Sequence, residues 1–119
     1  MKKLACLSVA LVLFACASAK AEEAKKNLAA SGHDFAVQVC GNCHSVEKGK
    51  TPLLKPPAPS FASLLQRREI DEAWLRSFLA TPHGNLGRAH KMPNPQLAEF
   101  QIDKIVAYFN ELKAQRKAK

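Results

Sequence analysis

The sequence predicts an all-α domain of three to five short helices, and three observations carry that expectation. No stretch alternates apolar and polar residues in the manner of a strand. Apolar residues recur instead at helical intervals, most clearly Ile102, Ile105, Val106, Phe109 and Leu112. The 119 residues include only five Gly and seven Pro, with 47% hydrophobic and 24% charged side chains, a balance that excludes a collagen-like chain, a disordered tail and a multidomain enzyme. A domain this small buries a modest share of its surface, so something besides side-chain packing is expected to help hold it.

The chain opens with Lys2 and Lys3, continues uncharged from Leu4 to Ala19, and reaches small residues before Glu22 and Glu23. That is the layout of a secretory signal peptide. Its 16 uncharged residues fall short of the roughly 18 to 20 that a permanent membrane helix needs. Cleavage is expected after Ala21, at Ala19-Lys20-Ala21, with Ala17-Ser18-Ala19 as a competing site. Residues 1–21 are then a removable leader and residues 22–119 the domain. Two other readings stay open: a retained anchor, and lipid attachment at Cys16 within Leu13-Phe14-Ala15-Cys16. The net charge of +8 falls to +5 once Lys2, Lys3 and Lys20 are gone. Of four cysteines only Cys40 and Cys43 remain, too few for a disulfide framework.

The first helix of the domain is expected to begin at Ser31, with Asp34 as its capping partner. Phe35, Ala36, Val39, Cys40 and Cys43 then share one stripe. The segment from Ser45 to Pro59 is polar and rich in Pro, and reads as a loop wrapped over something. Phe61, Leu64 and Leu65 suggest a short helix from Ser60 to Gln66. Asp71 is placed to cap a third helix whose apolar face is Trp74, Leu75, Phe78 and Leu79, stopped by Thr81-Pro82. Loop returns from His83 to Pro95, with Gly84, Gly87, Pro93 and Pro95. In the last helix, Lys113, Arg116, Lys117 and Lys119 suit a helix C-terminus and are read as a solvated face.

Cys40-Gly41-Asn42-Cys43-His44 closes the first helix, and C-x-x-C-H is the haem-attachment sequence. On a helix, positions i and i+3 project from one face with i+4 beside them. Two thiols so placed can bond the two vinyl groups of one haem, with the next imidazole beneath the iron. Competing readings are a thioredoxin-like thiol pair and a zinc or structural site. The thiol pair would sit at the start of a helix within a βαβ pattern. Zinc would want a fourth ligand and better spacing.

A haem iron held by His44 needs a second axial group. Met92, the one methionine beyond Met1, lies in the Gly/Pro loop as Lys91-Met92-Pro93 and is the favoured candidate. His83 and His90 in the same loop compete, whereas His33 reads as a surface residue. His/Met ligation fills both axial positions and favours electron transfer over oxygen chemistry.

With these residues in place, nearly all of the chain beyond the leader resembles a small bacterial class I cytochrome c. Gly32 and Phe35 match the family's Gly and aromatic or aliphatic residue upstream of C-x-x-C-H. Tyr108, in Ala107-Tyr108-Phe109, matches its aromatic in the C-terminal helix. Trp74 to His83 is similar to the family's middle helix before a Pro-His pair. The resemblance implies a class I fold of short helices wrapped around one covalent haem c, with Cys40 and Cys43 as thioether donors, His44 as proximal ligand and Met92 as distal ligand. It also implies that Gly32 lets the Tyr108 helix come close, and that a Pro carbonyl, of Pro57 or Pro59, fixes the proximal imidazole. Ala98 departs from the Ser or Thr expected to cap the last helix. The four-helix cytochrome c′ type places its C-x-x-C-H near the C-terminus and does not fit.

The implied function is a periplasmic electron carrier rather than an enzyme. The alternative is a haem-based sensor or peroxidase-like enzyme with an open distal site. A third reading is a dedicated subunit or partner of a dehydrogenase or oxidase complex. The basic balance favours redox partners with acidic docking surfaces. Lys48, Lys50, Lys55, Arg88 and Lys91 flank the ligand-bearing segments, although they serve solubility equally well. Nucleic acid is not expected as a partner, because no aromatics interleave a basic face. Membrane association is expected only if Cys16 is lipidated.

Overall fold

The computed structural model describes residues 4–67, 69–81 and 92–118, with side chains described from residue 19 onward. Among the described residues four helices follow one another: α1 (Leu4–Cys40), α2 (Phe61–Leu64), α3 (Glu72–Ala80) and α4 (Glu99–Lys117). Among the described residues there is no strand, only an isolated parallel bridge between His44 and Ala58. The all-α expectation therefore stands. His83, His90, Arg88 and Lys91, with Gly84 and Gly87, lie outside the described residues.

The expected start of a helix at Ser31 is corrected. α1 runs unbroken through that position. The reason is local: Ala24 to Ala30 is built almost wholly of good helix formers, so nothing obliges the helix to stop before Ser31. Gly32 in a helix interior costs about 1 kcal/mol relative to Ala, yet here only glycine fits. A Cβ at Gly32 would lie 2.0 Å from the Lys104 carbonyl oxygen and 3.0 Å from Tyr108 Cβ. α1 and α4 thus cross backbone to backbone at Gly32, as the resemblance implied.

The buried stripe of α1 is narrower than expected. Ala29, Gly32 and Ala36 are buried, with Phe35 and Cys40 at its edge, whereas Val39 is 42% exposed. The close crossing explains this, since only a narrow face of α1 meets α4. Against that face α4 places Ile102, Ile105, Val106, Tyr108 and Phe109, all buried, and Leu112 packs at the margin. Val46, Phe61, Leu75 and Leu79 complete one core.

The expected cap forms on α3, and Ser60, expected as the first residue of a helix to Gln66, instead caps the shorter α2. Ser60 Oγ accepts from Ser63 N–H at 3.1 Å, and Asp71 Oδ1 accepts from Trp74 N–H at 2.7 Å. Each such cap satisfies an otherwise orphaned helix amide, contributing about 1 kcal/mol. α3 buries Leu75 and Leu79. Trp74, expected on the same face, is 40% exposed and stacks on Phe78 with ring centroids 4.7 Å apart. α4 begins at Ala98 without a side-chain acceptor. Gln101 supplies half of a capping box instead, its Oε1 accepting from Ala98 N–H at 2.9 Å. Just before it, Gln96 sits at φ 50°, where its N–H donates to Asn94 Oδ1 at 2.9 Å.

The basic end of α4 is also corrected. Lys113 Nζ donates to Ile70 O at 2.6 Å, and an Arg116 guanidinium nitrogen donates to Leu65 O at 2.7 Å. These two side chains tie α4 to the segment between α2 and α3 by satisfying carbonyls no helix uses. Arg76 does similar work between α3 and α4, reaching Asp103 Oδ1 at 2.7 Å, Glu99 Oε1 at 3.3 Å and Glu72 Oε1 at 3.1 Å.

Candidate functional site

α1 delivers the site, because its last residue is Cys40. Gly41 continues the turn, and a side chain there would press its Cβ to 2.3 Å from the Val37 carbonyl oxygen. Cys43 N–H and His44 N–H both donate to Cys40 O, at 3.1 and 2.8 Å. Cys40, Cys43 and His44 are therefore wound together on one extra turn beyond the helix.

The Pro-rich segment laces back over that turn. Leu54 N–H donates to Asn42 O at 3.0 Å, Ala58 N–H to Cys43 O at 2.9 Å, and Phe61 N–H to Ser45 O at 3.0 Å. Ser45 Oγ stands 3.0 Å from Glu47 O and 2.6 Å from Lys50 O, tightening the first bend of the segment. Gly49, at φ 81°, supplies the left-handed residue of the turn from Glu47 to Lys50.

His44 is fixed from behind. Its Nδ1 donates to Pro59 O at 2.7 Å, which decides between Pro57 and Pro59. Phe61, buried in the core, meets the imidazole edge-on with centroids 5.9 Å apart. With the proton committed to Nδ1, the Nε2 lone pair is free to bind a metal.

The chemistry of the two thiols fits attachment better than redox exchange. Burial, followed by the neighbouring Cys43, pushes the Cys40 thiol up to about 11. A reactive dithiol needs a lowered value, usually at a helix N-terminus, whereas Cys40 ends its helix. Both cysteines are free and half-buried. Among the described residues, no three of His, Cys, Asp and Glu gather as a metal-holding group. Two free thiols on one turn and an imidazole with Nε2 available are the donor set a covalent haem requires.

Met92 is half-buried and borders the same core as Cys40, Leu64, Leu65 and Phe78. Of its competitors, His83 and His90 fall outside the described residues. His33 is no free surface residue: it stands 3.0 Å from Asp34 and 3.2 Å from Glu47 and meets the Tyr108 ring edge-on. Those partners occupy both ring nitrogens and leave none for iron. Sequence reasoning missed Glu47, whose contact with His33 spans 14 residues, and it missed the anchoring by Lys113 and Arg116. Neither leaves a local signal, since each depends on where another element comes to rest.

No protein-family profile matches the chain, and no solved structure matches it. The chain is 33% identical over 85 residues to a protein named cytochrome c-552 from Bradyrhizobium diazoefficiens, covering 71% of this chain and 75% of that protein. Among the described residues, no helix is long and apolar enough to cross a membrane. The likeness, the all-helical architecture and the Cys40/Cys43 pair agree. The chain belongs to the class I cytochromes c, which carry electrons on one covalently bound haem.

Proposed function

We propose that the protein is a periplasmic electron carrier in which Cys40 and Cys43 form the thioether links, His44 is the proximal iron ligand and Met92 the distal one. The observation that carries this reading is the 2.7 Å hydrogen bond from His44 Nδ1 to Pro59 O on the turn that also holds both cysteines. It orients the imidazole and raises its basicity towards a metal. Bound there, haem supplies a one-electron ferrous/ferric couple. The chain supplies orientation and a dry wall: Phe61 and the core behind His44 keep water from that side.

Export and docking belong to the same reading. Removal of a leader after Ala21 would leave residues 22–119, and intact mass would give the mature N-terminus and any lipid on Cys16. Lys48, Lys50 and Lys55 are exposed around Leu53, itself 81% exposed, on the segment that laces the site. Acidic redox partners would dock there; Arg88 and Lys91, which flank Met92 in sequence, are the further candidates for the same role. Charge reversal at Lys50 and Lys91 is expected to slow electron transfer and flatten its salt dependence.

The deciding experiment is the visible spectrum of the reduced, haem-loaded protein with and without carbon monoxide. A sharp spectrum indifferent to carbon monoxide in the wild type, with rapid adduct formation in Met92→Ala, is the expected result. Rapid adduct formation in the wild type would replace the carrier by a sensor or peroxidase-like enzyme with an open distal site.

A further inference from the structure

His33 joins two elements that no other described side-chain bond connects, and it takes no part in holding the haem. From the interior of α1 it reaches Asp34 on its own helix and Glu47 on the segment that backs His44. Nδ1 stands 3.0 Å from Asp34 Oδ1 and Nε2 3.2 Å from Glu47 Oε1. An ionised carboxylate only accepts, so both bonds exist together only when the ring carries a proton on each nitrogen. α4 offers no competing charge: Tyr108 meets the ring edge-on at 5.3 Å, and the Lys104 ammonium is directed over the Phe100 ring, 5.9 Å from its centroid. The charged groups facing His33 are thus both negative.

We propose that His33 is a proton-operated clasp: as an imidazolium it pins Glu47, and with it the segment from Ser45 to Pro59, to α1, and on giving one proton to solvent it releases that segment. A neutral ring keeps a single N–H. The shorter bond is to Asp34, next in sequence on the same helix, so Glu47 is the partner given up. A bare ring nitrogen facing a carboxylate oxygen is then repulsive. Release passes on through Ser45, whose single O–H donates to Lys50 O at 2.6 Å with Glu47 O 3.0 Å away, and whose carbonyl holds Phe61 N–H. The Asp34 hydrogen bond, opposed by slight burial and reinforced by Glu47, raises the pH at which His33 titrates above its ordinary value. The consequence for His44 rests on the haem reading above, whereas the clasp itself does not.

The test uses isotope-labelled, haem-loaded protein followed by NMR from about pH 5.5 to 8.5, a window that brackets ordinary histidine titration. Two quantities are read: the titration midpoint of the His33 ring, and the exchange protection factors of the Leu54, Ala58 and Phe61 amides. In the wild type those protection factors are expected to fall several-fold as His33 loses its proton. In Glu47→Ala they are expected to be low throughout, with the His33 midpoint shifted down. Glu47→Gln, which keeps an acceptor without the charge, should restore protection at low pH. Protection that stays constant through the wild-type His33 titration overturns the clasp, as does a midpoint unmoved by Glu47→Ala. The visible spectrum of the same sample reports on the haem reading separately, so the two can fail independently.

Discussion

The crossing of α1 with α4 and the laced turn around Cys40 to His44 are built from the same chain by opposite means. At the crossing, two backbones touch at Gly32 and the space on either side is filled by Ile102, Ile105, Tyr108 and Phe109. At the laced turn less apolar surface is buried, with Val46 reaching the core and Pro52 covered. Leu53 and Leu54 are exposed there, and the segment is held by a few directed hydrogen bonds to Asn42 O, Cys43 O, Ser45 O and His44. Packing supplies most of the free energy of a fold, whereas hydrogen bonds contribute about 1 kcal/mol net each and mainly set geometry. The core therefore decides whether the protein folds, and the lacing decides how the imidazole of His44 is presented.

The contrast can be broken most severely at Gly32. In Gly32→Val a Cβ would have to occupy space 2.0 Å from a main-chain oxygen that cannot swing away, so the helices must separate. A loss of at least about 3 kcal/mol is expected, read as a collapse of the denaturation midpoint with haem retained on the Cys pair. Ile105, 2% exposed, tests the packing itself: Ile105→Ala should cost roughly 2–5 kcal/mol without moving the visible spectrum. On the laced side, Ser45→Ala removes the one O–H shared between Lys50 O and Glu47 O and should cost about 1 kcal/mol. Its effect should appear instead as faster amide exchange from Leu54 to Phe61.

The smallest expected effect is that of pH. The His33 value is raised in the folded protein, first by the Asp34 hydrogen bond and then by Glu47, against slight burial. Its stabilising contribution is thus fully present below the unfolded value of about 6.5 and is lost as pH rises through the folded value. The denaturation midpoint should decline across that window in the wild type and stay level in His33→Asn. A decline of equal size in the variant would assign the pH dependence to other groups.

Much of the protein was legible from residue order alone, because the relevant physics is local. C-x-x-C-H places three donors on one turn whatever surrounds them, and the spacing of Ile102, Ile105, Val106 and Phe109 marks a buried helix face without reference to its partner. Asp71 caps its helix for the same reason, since its carboxylate reaches an amide three residues on. The start assigned at Ser31 was wrong because a capping residue is only a permitted beginning, and the helix-forming run before it gave the chain no cause to use it.

Apart from the Gly32 crossing that the resemblance implied, the contacts between elements distant in sequence were decided by the tertiary structure alone. Pro57 and Pro59 are equivalent on paper, and only the return path of the segment brings the Pro59 carbonyl to His44 Nδ1. Lys113 and Arg116 read as solvated charges until α4 lies against the carbonyls of Ile70 and Leu65. His33 reads as a surface residue until Glu47 comes round to it from 14 residues away. Sequence determines which groups are available and which face of a helix they share. Which distant group each one meets is set by how the helices pack, because hydrogen bonds and ion pairs act over only a few ångströms.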